Sequence, residues 1–305
     1  MNGVLALIIA NIIWGGAGPI FKFALSNIPP FTLAFIRFFG AFIIFSPILF
    51  KYNIFSIRPR QWLLILTGAF FAITVNISFF FLGLQRTDSI NISIIASGSP
   101  LFLFLLSVLI LHEKPVSKVF SGMLISFLGV LVIIFSPLLL KGQGSAQQTA
   151  LIGNLMFVVS VLGVTIAPLF WKGVMEKISP YVVTVISFFF SSLTFLPFMI
   201  EELRTWNFSN LNGAGITGII YGIFFSSAAA YFFYIYGISK IKAQEVGLFQ
   251  YIDPVVAVLI AGPLLQEFPT TYFFVGSILV FAGVYVSERR IPYHPFHKLR
   301  PSRSE

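Results

Sequence analysis

Cysteine is absent from all 305 residues, which excludes a disulfide framework, a thiolate nucleophile and a cysteine-ligated metal site. Histidine is nearly absent too: His112 falls at a helix end and His294 and His297 in the tail, so no histidine cluster forms within the apolar body. No HExxH, GxSxG or Walker pattern occurs. An enzyme on this chain would have to build its chemistry from Asp253, Arg37 and hydroxyls alone, so the sequence predicts no catalytic residue, no cofactor and no metal. Charge is scarce as well. Only 10% of residues are charged, where a water-soluble domain carries about 25%. That is too little to cover a soluble surface, so the solvent of this chain is lipid. The opening Met1-Asn2-Gly3 lacks Lys and Arg, and no small-residue cleavage site follows. The first apolar segment is therefore expected to remain as a signal anchor.

What is present is apolar. Hydrophobic residues make up 57% of the chain, 38 of them Phe, and the mean hydropathy is +0.95. Ten segments are long enough to span a bilayer, which takes about 20 residues: roughly 4–25, 31–50, 62–82, 89–111, 118–137, 150–172, 181–200, 213–236, 245–265 and 271–287. The polar stretch Lys141 to Thr149 divides them into two sets of five. The predicted organisation is a first unit over 1–137, a linker over 138–149, a second unit over 150–287 and a basic tail over 288–305. With the N-terminus cytoplasmic, fourteen basic residues fall on the inner side, among them Lys51, Lys177, Lys240 and Arg289. The outer side holds only Lys22, Arg86, Lys141 and Arg204. The positive-inside rule therefore predicts both termini inside, in a multi-pass protein of the plasma (inner) membrane. The net charge of +9 is assigned to orientation and to anionic lipid headgroups at the tail, not to nucleic acid.

The two sets are copies. A shift of 154 residues places Pro100 on Pro254, Glu113 on Glu267 and Pro115 on Pro269, and an ungapped alignment of 84–133 with 238–287 holds eleven identities. The stripe Gly68, Ala72, Asn76, Phe80 then meets Gly222, Ser226, Ala230, Tyr234. Earlier the shift becomes 150, pairing Lys22 with Lys172 and Pro30 with Pro180. Five spans per copy is an odd number, so the second copy inserts upside down. Inverted repeats of this kind underlie many secondary transporters, with substrate held near the midplane.

Together these features resemble the EamA family of the drug/metabolite transporter superfamily. The matching residues are the proline-to-Glu pattern closing each fourth helix, the glycine-rich fifth helices, Trp14-Gly15 in helix 1 and Arg37-Phe38 in helix 2. The resemblance covers residues 4–287 and implies a ten-helix inner-membrane carrier that exports amino acids or other small metabolites. The chain departs from it where His112-Glu113 and Gln266-Glu267 replace Gly-Glu, and where Ser187 stands opposite Arg37. The expected fold is all-α, ten transmembrane helices as two inverted five-helix repeats. The expected function is secondary transport by alternating access, with a passive channel or facilitator on the same scaffold as the alternative and a membrane-embedded enzyme ranked below both. A small-molecule substrate and membrane lipid are the expected partners; a homodimer is left open.

Six residues are candidates for the cavity: Trp14, Arg37, Asn76, Tyr234, Gln250 and Asp253. Asp253, predicted eight to ten residues into helix 9, is expensive inside a bilayer and is also the proton-coupling candidate. Its structural alternative is an acid that caps a helix broken at Pro254 or pairs with Arg37. The Arg37 guanidinium suits a forked bond to a carboxylate. Trp14 could stack on substrate where the glycines around it open the helix, or fill space beside them. Asn76 could equally bond another helix, and Gln250 shares a face of helix 9 with Asp253. Glu113 and Glu267, on opposite sides of the membrane, read by symmetry as an inner and an outer gate or as interfacial capping, and are assigned to capping; the small-residue stripes are assigned to helix packing.

Overall fold

Proline opens three of the helices. Pro30, Pro59 and Pro180 each stand at a first helical position, where the missing N–H would have had no partner in any case. Asn side chains start two others: Asn2 accepts from Val4 N and Asn212 from Ala214 N. The computed structural model describes residues 2–99, 102, 117–139, 144–238, 240 and 247–288. Ten helical rods occur among them: α1 (Gly3–Ala24), α2 (Pro30–Phe45), α3 (Pro59–Leu84), α4 (Ile90–Ser97), α5 (Ser117–Leu139), α6 (Ser145–Met175), α7 (Pro180–Glu202), α8 (Gly213–Gly237), α9 (Ile252–Leu265) and α10 (Thr271–Glu288). Seven of them, α2 counted with the 3-10 turn that carries it on to Lys51, are long and apolar enough to cross a membrane. Large apolar side chains such as Leu63, Leu259, Phe274 and Ile278 face outward. In water that surface would be a liability; in lipid it is the expected exterior. The centre is built largely of phenylalanine, with Phe21, Phe38, Phe81, Phe157, Phe188 and Phe195 fully buried.

For the principal contacts, exchanging a helix for the one five positions later reproduces the packing. α1 lies on α8 and α9, and α6 lies correspondingly on α3 and α4; α2 packs on α7, and α5 on α10. The α5–α10 seam is one of the most extensive helix contacts among the described residues. Within it, Gly129 meets the Gly276 carbonyl and Gly283 meets the Gly122 carbonyl, while Ser126 Oγ donates to Val280 O at 3.1 Å. Residues 122 and 276, 126 and 280, and 129 and 283 are repeat equivalents, so each residue touches its counterpart's neighbourhood. The pairs run in opposite directions along the two helices. α5 and α10 are therefore antiparallel, and so are α2 and α7, where Phe31 stacks near Phe198 and Phe45 near Phe188. Equivalent helices running in opposite senses are the signature of an inverted repeat. A side chain at Gly129 or Gly283 would strike backbone, which explains the glycine in each copy.

Both third helices carry a π-helical stretch, Phe70–Val75 in α3 and Tyr221–Ala229 in α8. Val75 and Ala229 are repeat equivalents, so the irregularity is duplicated with the fold. Such stretches leave carbonyls without their usual i+4 donor and gather at functional sites.

Several expected boundaries move. α6 begins at Ser145, so the last five residues of the predicted linker are its first turns; Gly144 precedes them and Ala146, Gln147 and Gln148 favour a helix. α2 passes into a 3-10 turn, Ser46–Lys51, because Pro47 cannot donate to Ile43 O; the Ser46 hydroxyl donates there instead. α9 is preceded by a 3-10 segment, Gly247–Tyr251, which places Asp253 in the first α-helical turn and not deep within it. Pro254 then opens the α-helix without breaking it, since the N–H of a first-turn residue has no acceptor within the α-helix. Pro100, His112, Glu113, Lys114, Pro115, Lys141, Lys242 and the basic tail from Arg289 onward lie outside the described residues.

Candidate functional site

Arg37 is the buried cation at the centre of the bundle. Its Nε donates to Ser227 Oγ at 2.8 Å and an Nη to Ser226 Oγ at 3.0 Å, while its Cζ lies 4.9 Å from the Phe21 ring centre and 4.6 Å from that of Phe38. Its aliphatic stem runs over Gly222, where a Cβ would stand 3.1 Å from Arg37 Cγ. Two hydroxyls and two ring faces hold the guanidinium in place. Among the described residues no carboxylate forms an ion pair with it.

The π stretch of α8 supplies the next layer. Ala230 N–H bonds Phe225 O, five residues back, instead of Ser226 O. The Ser226 carbonyl accepts from Trp14 Nε1 at 3.1 Å. One residue thus gives its hydroxyl to Arg37 and its carbonyl to Trp14. The Trp14 ring lies 5.3 Å from Tyr231, edge-on, and 5.1 Å from Tyr234. The Tyr221 hydroxyl donates to Ile13 O and lies against Gly16, next to the glycine that meets Asp253.

Asp253 completes the site from α9. Gly15 of α1 lets the helices touch: a Cβ there would stand 2.9 Å from both Asp253 Cα and Asp253 O. The carboxyl oxygen Oδ1 is buried without a hydrogen-bond partner, an arrangement that costs free energy unless something supplies a donor. Arg37 does not pair with it in this structure, which removes the internal ion pair as an account of either residue.

Of the six predicted residues, the structure gathers Trp14, Arg37, Tyr234 and Asp253 around α1 and α8. Gln250 is half-buried in the 3-10 turn just before Asp253. Asn76 stands apart: its amide donates to Ser160 O and Ser160 Oγ, both at 2.9 Å, and ties α3 to α6. That is the interhelical bonding that a polar side chain in an apolar stripe also offers. Asn11 donates to Leu7 O within its own helix. The glycines beside Trp14 do not open α1, which is continuous; they admit neighbouring helices. Sequence reasoning missed Tyr221, Ser226, Ser227 and Tyr231. Ser226 lay in the duplicated stripe, whereas the tyrosines carried no signal in a chain with ten of them.

A duplicated, inverted helical bundle, with a buried guanidinium that no carboxylate pairs among the described residues and a buried carboxyl oxygen without a hydrogen bond, defines the class: a polytopic, inverted-repeat membrane protein. The chain belongs to the EamA-like transporter family, whose model matches it twice, over residues 1–135 and 151–288. It is 26% identical over 291 residues to YetK of Bacillus subtilis, an uncharacterized transporter, covering 94% of this chain and 87% of the relative. It is 23% identical over 297 residues to a probable amino-acid metabolite efflux pump of Escherichia coli K12, covering 94% of each. A solved crystal structure superposes with a TM-score of 0.63 at 15% identity, over 95% of this chain and 98% of that one, and so shares the fold. The protein is a multi-pass membrane transporter and not an enzyme.

Proposed function

We propose that this protein is a secondary carrier that exports small metabolites of the amino-acid class by alternating access, with Arg37 receiving a substrate carboxylate and Asp253 a substrate amine or a proton. The observation that carries the reading is a pair of unmatched buried groups: Arg37, held by two hydroxyls and two ring faces with no carboxylate paired to it among the described residues, and Asp253 with Oδ1 bare. A zwitterion supplies both missing partners, and a proton supplies the second. Trp14, Tyr231 and Tyr234 form an aromatic wall beside them, suited to an apolar side chain. The name of the Escherichia coli relative agrees with this substrate class.

In this reading 1–137 and 150–287 are the two moving units, the termini face the cytoplasm by the distribution of Lys and Arg, and the membrane is the plasma membrane. Membrane lipid surrounds the carrier, and a homodimer is its oligomeric state to be checked by mass in nanodiscs. The test is flux of amino acids identified by a thermal-shift screen, measured in proteoliposomes with and without a pH gradient. Wild-type flux responds to the gradient, and Asp253→Asn flux does not. Unchanged gradient response in Asp253→Asn removes the coupling role. Absence of trans-stimulation by internal substrate replaces the carrier with a facilitator.

A further inference from the structure

Glu267 and Lys22 form a second charged cluster, about two helical turns from the Trp14 end of the site along α1. Lys22 Nζ lies 2.5 Å from Glu267 Oε1 and donates to Thr87 O at 2.7 Å. The other carboxylate oxygen, Oε2, accepts from Ser89 N at 2.7 Å and from Ser89 Oγ at 2.6 Å. Asp88 Oδ1 stands 4.0 Å from Lys22. The capping expected of Glu267 is therefore real, but it acts in trans: a residue after α9 in the second repeat caps α4 in the first. Beside the cluster, Gly18 of α1 is packed so closely that a Cβ would stand 2.9 Å from Ser89 O.

We propose that the Lys22–Glu267–Ser89 cluster is the gate that holds this face of the transporter shut between the two repeats. Three observations meet here. The bonds cross from one repeat to the other, so rocking the repeats apart at this face must break them. The same two helices carry site and cluster: α1 bears Trp14 and Lys22, and α9 leads from Asp253 to Glu267. Motion at the cluster is thereby transmitted to the site through continuous helix. Glu267 keeps only 8% of its side chain exposed, yet Lys22 keeps 27% and lines, with Thr87, Asp88, Arg86 and Asn91, a cavity of about 360 Å³. Water in that cavity can take over the bonds of Lys22 once they part. A buried ion pair contributes little net stability because desolvation offsets attraction, but losing one partner is costly. Such a pair favours one arrangement over another, which is what a gate does.

This inference rests on alternating access, not on the substrate assignment, and the test separates the two. The native chain has no cysteine, so a single introduced thiol reports alone. Ile92→Cys, one turn inside Ser89, reports the Lys22 face. Ile8→Cys, packed beside Leu7 and Phe249, reports the opposite face. Labelling by a membrane-impermeant maleimide is followed in Glu267→Gln and in Lys22→Met. The expected result is an increase of about tenfold at Ile92→Cys with a decrease at Ile8→Cys, since a two-state protein gains one state at the expense of the other. Increases at both positions indicate a channel-like opening and overturn the alternating-access reading. Unchanged labelling at Ile92→Cys in variants that retain their melting temperature overturns the gate. Should either variant fail to fold, Lys22→Cys/Glu267→Cys bridged by a short bifunctional thiol reagent gives an independent result. Transport stops on bridging and returns on cleavage if the cluster is a gate; transport that continues through a bridged protein overturns it.

Discussion

Arg37→Lys keeps the charge at the centre of the site but loses the fork. An ammonium cannot reach both Ser226 and Ser227 while presenting a planar face to a carboxylate. Losing one charge-assisted hydrogen bond, worth about 1.5–3 kcal/mol, is expected to weaken binding of the substrate about tenfold or more, read as Kd by calorimetry. Equal affinity would reduce Arg37 to a structural cation. Ser226→Ala removes one hydroxyl but keeps the carbonyl that receives Trp14, so its effect is expected to be smaller than that of Arg37→Lys and to leave Trp14 fluorescence unchanged. At this scale the sequence is legible only where a residue offends its surroundings. Arg37, Asp253 and Trp14 stand out because a charge or an indole is out of place in an apolar span. Lys22 and Glu267 do not, because charges at helix ends are ordinary; only the contact between distant ends reveals them. Asn76 offended as much as Asp253, yet Ser160 answers it fully.

Among the elements, α1 and α9 are held in register by one absent methyl group. Gly15→Ala directs a Cβ at the Asp253 backbone, which cannot move aside as a flexible side chain would. It is expected to displace α9 and cut transport by about tenfold or more while the protein stays folded, with a cost of about 1–3 kcal/mol typical of overpacking. A thermal melt and a flux assay together check it; full activity would show that α9 has slack at this point. The π stretches belong to this scale too, and nothing in the sequence announces them. Their effect is local, since rerouting Ala230 N–H to Phe225 O is what leaves Ser226 O to Trp14. Residues 100, 101 and 103–111 of the predicted span 89–111 lie outside the described residues; the described helices were plain from hydropathy. Their ends were less so, because Pro47, Gly144 and the 3-10 turn before Asp253 act through geometry that composition does not display.

For the whole molecule, the inverted repeat was legible because Pro, Gly and Glu kept register across 154 residues. The structure gives those matches a cause: the paired glycines are contact points of α5 with α10. Gly283→Val sets a branched side chain against the Gly122 carbonyl and Ser126, and is expected to lower the melting temperature by several degrees, in line with about 1–3 kcal/mol for a close helix contact forced apart. An unaltered melt would mean that the seam can separate without cost. Two co-expressed chains divided within 140–143 are expected to co-purify, because so many of the contacts that hold each half lie in the other.

That seam also sets the order of assembly during synthesis. α5 emerges from the ribosome roughly 150 residues before the helix it packs against, so its glycine face must wait among lipids or behind the insertion machinery until α10 is made. Closure of the molecule is therefore a late, long-range event, of the kind that proceeds slowly and leaves incomplete chains open to quality control. A nascent chain ending before Thr271 presents the recognisable defect: an unmatched small-residue surface in the membrane. Detection of that surface is enough to mark such a chain as unfinished.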